Sequence, residues 1–428
     1  MFLRKLTLKN VRSLAEFEMS FVNPNEQTRQ WTLLLGENGC GKSTVLRAVA
    51  LLLAGSEALP ELLVEPDSWI RQGQREAVLS AELTTARGEL RHIELRLQRG
   101  QKIKELFEHN RASLDELDRA LDHTARNYLT IGYGVSRRLN LSKTLSPSAG
   151  NTFRDPRAQS VATMFSPDAL LNPLESWVMD MDYRHGTAGM KLVKQTLTDL
   201  LPGVTFDRID KAKKQLLFKT PDGLLPLGQL SDGYQNVAAW CSDLLYRITE
   251  IFADQKKPLA ARGLLLIDEL DLHLHPLWQR QLKKFITEKL PNFQIIATTH
   301  SPLTAHQAGE NELYVLQRTP PAAPVLRPFA GDPQKLMLHQ LLLSPVFGLT
   351  TVDSAEVETM RRQYQDQLKD KKNGKRAVAG ATPDAELRQA IADLPDWSAH
   401  TPLERKQTAL LEKINQALET PAKKRARR

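Results

Sequence analysis

The sequence predicts an α/β protein with a phosphate loop at the carboxyl edge of a parallel sheet, and three observations predict it. Trp31-Thr32-Leu33-Leu34-Leu35 is an apolar run of strand length that enters Gly36-Glu37-Asn38-Gly39-Cys40-Gly41-Lys42-Ser43-Thr44. Beyond it Val45, Leu46, Val49, Leu52 and Leu53 recur at helical spacing, and Gly55 makes a stop. Gly263-Leu264-Leu265-Leu266-Ile267 is a second apolar strand, closed by Asp268-Glu269. Phe293 to Thr299 is a third, ending at His300-Ser301-Pro302.

The 428 residues suffice for two or three domains and a large core. Hydrophobic content of 41% and charged content of 25% are those of a globular protein, and no apolar stretch is long enough to span a bilayer. Met1 to Lys9 alternates like a strand and lacks a signal-peptide core. With only two cysteines, Cys40 and Cys241, a disulfide is not expected and the cytoplasm is the expected compartment. A net charge of +8 permits contact with DNA without requiring it.

In chain order, residues 1–55 read as strand, loop, strand, phosphate loop and helix. Ala77 to Leu83 and Leu90 to Leu97 alternate around Thr85-Ala86-Arg87-Gly88 as a hairpin. Segment 103–127 has helical character, and Tyr128 to Gly134 reads as a core strand leading to Arg137 and Arg138. Segment 142–166, rich in Ser, Thr, Asn, Pro and Arg, reads as a loop. Leu171 to Leu201 is helical, and Val204–Ile209 with Gln215–Lys219 form a second hairpin closed by Pro221-Asp222-Gly223. A long amphipathic helix follows Leu230-Ser231-Asp232-Gly233-Tyr234-Gln235. A helix is expected from Pro276 to Leu290, a strand over 312–316 and a Pro-rich linker over 319–328. Near 355–370, 384–394 and 403–419 the chain turns helical again, and it finishes with the basic run Lys423 to Arg428. The expected organisation is a head over 1–318 with a hairpin-and-helix insertion over about 56–229, a linker over 319–354, and a helical region with a basic tail over 355–428.

The glycine-rich stretch explains its own chemistry. Glycines let successive N–H groups turn toward a phosphate, and the helix start adds unpaired donors and partial positive charge. In a Walker A reading Gly36, Asn38, Gly39, Cys40, Gly41, Lys42, Ser43 and Thr44 cradle ATP. Lys42 reaches the outer phosphates and Ser43 ligates Mg²⁺. Asp268 completes the Mg²⁺ shell, Glu269 polarises the attacking water, and His300 sits beside the γ-phosphate. Ser231 and Gly233 open a helix and make a second anion-binding start, suited to ATP held by a second subunit.

This ordered set resembles an ABC-type ATPase head of the RecF/SMC kind. Asn10-Val11-Arg12-Ser13-Leu14 is similar to the "NFRSF" segment that begins such heads. Leu266 to Pro276 is similar to the "LIDEIDLHLHP" stretch of small bacterial AAA-type ATP-binding proteins, among them ATPases of Septu and retron-associated anti-phage systems. The resemblance covers roughly residues 1–318. It implies two heads closing face to face on two ATP molecules, with Ser231 and Gly233 on the partner's ATP, Asp271 in the loop between sites and Arg12 near the nucleotide. The signature departs from the Ser-Gly-Gly-Gln of transporters, and no residue is assigned as the family's Q-loop glutamine.

His273 and His275 lack a third metal ligand nearby and are read as structural. Asp180-Met181-Asp182 imitates a nuclease Asp-x-Asp but lies in a helical stretch ahead of the signature, so no nuclease is read in this chain. Arg137 and Arg138 are left open among phosphate, DNA and solvent. The resulting expectation is a slow ATPase that dimerises, or forms a higher homo-oligomer, through composite ATP sites and controls a separate effector, a nuclease, in anti-phage defence. A DNA-repair or chromosome-maintenance clamp that binds DNA directly is the alternative, and a transporter subunit is disfavoured.

Overall fold

The computed structural model describes residues 2–362 apart from 86–87, 125–128, 140–152, 173, 202, 211, 214, 253–257, 319–321, 350, 353, 357 and 360–361. The chain divides into Met1–Leu349 and Thr350–Arg428. In the second unit the described residues lie between 351 and 362, where the Glu358 N–H donates to the Ser354 carbonyl at 2.9 Å. The helices expected near 384–394 and 403–419, and the basic tail, fall outside the described residues.

In the first unit the strands are β1 (Phe2–Val11), β2 (Leu14–Ser20), β3 (Trp31–Gly36), β4 (Glu76–Thr84), β5 (Leu90–Gln98), β6 (Leu129–Tyr133), β7 (Arg138–Leu139), β8 (Leu170–Leu171), β9 (Thr205–Asp210), β10 (Gln215–Thr220), β11 (Gly223–Pro226), β12 (Gly263–Ile267), β13 (Phe293–Thr299), β14 (Leu313–Gln317) and β15 (Val325–Pro328). The helices are α1 (Lys42–Leu52), α2 (Leu59–Leu62), α3 (Ile103–Thr124), α4 (Pro156–Phe165), α5 (Leu174–Leu200), α6 (Asp232–Ile251), α7 (Pro276–Gln279), α8 (Leu282–Lys289), α9 (Pro302–Ala305) and α10 (Leu338–Leu342).

The central sheet runs β15-β14-β3-β13-β12-β6. Its inner strands pair in parallel and β15 returns antiparallel on β14. Every residue of β12 and β13 is buried, which is why β12 reads as an unbroken apolar run and β13 as a run centred on Ile295, Ile296 and Ala297. Side-chain alternation divides the core. Leu34, Leu264, Leu266 and Ile296 join α1 and the antiparallel sheet β2-β1-β4-β5 on one face. Leu33, Leu35, Leu265, Ile267 and Ile295 meet α6 and the β9–β11 meander on the other. Gln294 ties the two sheets together. Buried at the start of β13, its amide oxygen accepts the Leu3 N–H and its amide N–H donates to the Leu3 carbonyl, both at 2.8 Å. That satisfies groups that burial would otherwise strand.

Several expectations change in the structure. Segment 142–166 is not a loop throughout, because α4 fills its second half. Asp155 caps that helix by accepting from the Arg157 and Ala158 N–H groups, and Pro156 sits in its first turn. The residues of the expected insertion are woven into the body. β4 pairs with β1, and β6 pairs with β12. The second hairpin gains a third strand, since Pro221-Asp222-Gly223 turns into β11. The helix expected from Pro276 to Leu290 is split into α7 and α8. The expected linker carries β15 and α10, whose Leu341 is fully buried.

Candidate functional site

Strands β3, β13 and β12 end side by side, with Leu35 opposite Thr299 and Ala297 opposite Ile267. Their carboxyl ends therefore deliver the phosphate loop, His300 and the two acids to one edge, where parallel sheets bind ligands.

Gly41 stands at the N-cap of α1 with φ +102°, a left-handed backbone suited to glycine. A Cβ there would come 3.0 Å from Ser13 Oγ and 3.2 Å from a Leu14 methyl, so the turn between β1 and β2 rests on the helix start. That turn carries Arg12, whose guanidinium lies 4.4 Å from the centre of the Trp69 ring. Burial, and secondarily the charge of Arg47 on α1, hold Arg12 below the usual arginine range. The structure thus brings Arg12 to the phosphate-loop helix. Asn38 and Gly39 are exposed at the loop tip, Ser43 is half-buried, and Cys40 and Thr44 are buried.

Lys42 is 6% exposed, and its ammonium donates to the carbonyls of Gly36 at 2.8 Å and Glu37 at 3.0 Å. Burial lowers its pKa, while the neighbouring charges of Asp268 and Glu269 pull the other way. No acidic residue occupies the first turn of α1. A buried cation beside free helix N–H groups is a donor set that fits the phosphates of ATP.

The acids are held by the neighbouring strand. Asp268 is 3% exposed and accepts from Thr298 Oγ1 at 2.6 Å. The same hydroxyl accepts the Glu269 N–H at 2.8 Å. Glu269 has φ +49°, unusual for a residue with a side chain. Asp271 accepts from the Thr299 hydroxyl, and burial raises its carboxyl above the ordinary range. His300 is exposed, and its imidazole is held below its ordinary pKa by partial burial and then by Lys42. One carboxylate and one hydroxyl, Asp268 and Ser43, form the oxygen set that suits Mg²⁺ shared with phosphates.

The Leu230–Gln235 stretch leads into the start of α6. Ser231 is the exposed N-cap of α6, and its side chain makes no capping bond. A Cβ on Gly233 would stand 2.8 Å from the His273 carbonyl, so the start of α6 packs on the loop that carries Asp271. Tyr234 adds an edge-on contact to Trp278 of α7, with ring centres 5.5 Å apart.

Three residues here were not assigned a role by sequence reasoning. Thr298 and Thr299 read as ordinary strand residues; two consecutive hydroxyls closing a buried strand ahead of His300 are the available signal. Arg137 is 7% exposed and donates to the carbonyls of Asp268, of Glu269 at 2.8 Å and of Gly134 at 3.0 Å. Burial brings its pKa down to about 10. His275 Nδ1 accepts the Leu277 N–H and caps α7, while Asp180 pairs with Arg184 at 2.7 Å. Among the described residues no group of three or more His, Cys, Asp or Glu can hold a metal, and no helix is long and apolar enough to cross a membrane.

Septu protein PtuA of Bacillus mycoides (strain KBAB4) is 26% identical over 349 residues, which is 81% of this chain and 45% of that protein. The Escherichia coli protein named "Retron Ec83 probable ATPase" is 30% identical over 32% of this chain and 25% of its own length. Septu protein PtuA of Bacillus thuringiensis is 36% identical over 26% of this chain and 29% of its own length. The chain thus spans less than half the length of these curated relatives. Among solved structures, the SMC head bound to the C-winged helix domain of ScpA aligns with 77% of this chain and 98% of its own at 14% identity and TM-score 0.48. The family described as "AAA domain, putative AbiEii toxin, Type IV TA system" matches residues 32–305. That match contains the phosphate loop, both acids, the signature and His300, and the chain belongs to this AAA-domain family.

Proposed function

We propose that the protein is an ATP-driven switch. Two copies close on two ATP molecules, slow hydrolysis releases them, and the cycle controls a separate effector, a nuclease, in anti-phage defence. The observation that carries this reading is the placement of the two half-sites. Lys42, Asp268 and Glu269 share one sheet edge, whereas Ser231 is exposed on a helix start docked against the Asp271–His273 loop. A second copy supplies what each half lacks.

In this reading Lys42 turns from the Gly36 and Glu37 carbonyls to the outer phosphates. Ser43 and Asp268 would hold Mg²⁺, which when bound would supply positive charge beside the phosphates. Glu269 orients the attacking water and accepts its proton, and His300 fixes the γ-phosphate. Ser231 and Gly233 of one copy face the ATP of the other, and Asp271 lies between the sites. Arg12 adds positive charge near α1. The names of the Septu and retron relatives support the defence setting. Two free, buried cysteines, Cys40 and Cys241, suit a cytoplasmic protein. We assign the region over 355–428 to effector docking or to a higher homo-oligomer.

The test is the mass of the purified protein with and without ATP, using Glu269→Gln to slow hydrolysis and Lys42→Ala as control, each with and without duplex DNA. An ATP-dependent doubling for Glu269→Gln alone supports the switch. An unchanged mass in every nucleotide state overturns it, and a shift that requires DNA favours the clamp.

A further inference from the structure

We propose that Arg137 is the positioning residue that sets Glu269 for hydrolysis, and that it takes its own position from the signature helix α6. This deepens the switch reading above and rests on it.

Arg137 follows β6, the sheet neighbour of β12. Its Nη2 donates to the carbonyls of Asp268 and, at 2.8 Å, Glu269. Its Nε donates to the Gly134 carbonyl at 3.0 Å. One guanidinium thereby closes its own loop and grips both peptide groups that bear the acids. On the opposite side Thr298 Oγ1 accepts the Glu269 N–H. Glu269 is thus held at φ +49° between two fixed partners, and its direction depends on both.

The other end of the connection is α6. The guanidinium lies 6.0 Å from the centre of the Trp240 ring, and Trp240 is fully buried on that helix. One turn further along, fully buried Asp243 accepts from the hydroxyl of Tyr133, the last residue of β6, at 2.8 Å. Asp243 also accepts from Arg247 at 2.7 Å and from the Asn172 amide at 2.6 Å, which fixes it. Hence β6 and its following loop meet α6 at Tyr133–Asp243 and at Arg137–Trp240. A shift of α6 when Ser231 and Gly233 engage nucleotide moves the guanidinium, and the carbonyls of Asp268 and Glu269 move with it. Arginine suits this role because its fork offers donors in several fixed directions; a lysine ammonium cannot reach three carbonyls of such different placement.

The test compares wild type, Arg137→Lys, Arg137→Met, Glu269→Gln and the double variant Arg137→Lys/Glu269→Gln as full chains. Each is followed by thermal melting, titration with a fluorescent ATP analogue, and steady-state hydrolysis. Nucleotide affinity and KM are expected to stay within about threefold of wild type, because Arg137 touches the acids' backbone and not the phosphate loop. The kcat falls about 10–100-fold in Arg137→Met and by a smaller factor in Arg137→Lys. Added to Glu269→Gln, Arg137→Lys lowers kcat no further, since both act through the same carboxylate. If Arg137→Met fails to fold, Arg137→Lys and the double variant carry the test.

An unchanged kcat in Arg137→Lys overturns the proposal. So does a decrease that multiplies with that of Glu269→Gln, or a matching loss of nucleotide affinity. Wild-type protein that hydrolyses no ATP overturns the switch reading itself, and this proposal with it.

Discussion

Thr298 Oγ1 lies 2.6 Å from Asp268 Oδ1 and donates its proton to it, so a strand residue beside the acids sets the carboxylate that we propose holds Mg²⁺. Thr298→Val keeps the shape and removes both the donor to Asp268 and the acceptor of the Glu269 N–H. Leaving such buried groups unpaired costs about 1–3 kcal/mol, and hydrolysis should fall about tenfold or more. Melting curves and steady-state rates check this. Thr298→Ser, which keeps the hydroxyl, should retain most of the activity.

Gly233→Ala tests the contact between the signature and the loop of Asp271. The added Cβ would stand 2.8 Å from a backbone carbonyl that cannot swing aside. Displacement of the α6 start should cost about 1–3 kcal/mol. It should also abolish the ATP-dependent mass change of the Glu269→Gln protein while sparing nucleotide binding at the Lys42 side. Light scattering and nucleotide titration separate the two effects.

Lys42→Ala removes the buried ammonium that now bonds to Gly36 and Glu37. Charge-assisted bonds to phosphate of the usual strength correspond to about a 10–100-fold loss of nucleotide affinity. Equilibrium titration reads this directly, and the protein should still fold because α1 keeps its apolar face.

His300 gives a pH signature. Burial and Lys42 depress its pKa, so the neutral imidazole predominates at neutral pH. With the folded pKa below the unfolded one, its contribution to stability is present above the unfolded value and is lost as pH falls through the folded one. A bound triphosphate reverses the local charge and raises the pKa. ATP binding should therefore take up protons, more so as pH falls toward the imidazole range. Calorimetry in two buffers of different ionisation enthalpy measures the uptake, and His300→Gln should reduce it to that of ATP alone.

Legibility in the sequence followed burial and spacing. β12 and β13 are buried on both faces, so their composition alone announced them, and the acids and histidine at their ends could be read by position. α4 was hidden because its Arg, Gln, Ser and Thr look like loop composition; Ser160 and Thr163 are buried by hydrogen-bonding to β6 carbonyls. β15 was hidden because prolines surround it and its pairing with β14 is a tertiary fact. Arg137 was visible as a residue but not as a role. Its meaning depends on carbonyls more than a hundred residues away, which no local pattern encodes.

The tight seam between β14 and the phosphate-loop strand limits where the protein can be shortened. A Cβ on Gly36 would lie 2.4 Å from the Leu316 carbonyl, and Leu313 to Leu316 pair with Leu33 to Gly36. The family match stops at residue 305, ahead of that strand. A chain cut there would turn β3 into an open margin, with the unpaired N–H and C=O groups of an apolar strand facing water beside the nucleotide loop. Such margins recruit other chains. A protein trimmed to its recognisable domain would therefore tend to aggregate through the strand that feeds its own phosphate loop, and soluble fragments should extend to Leu349.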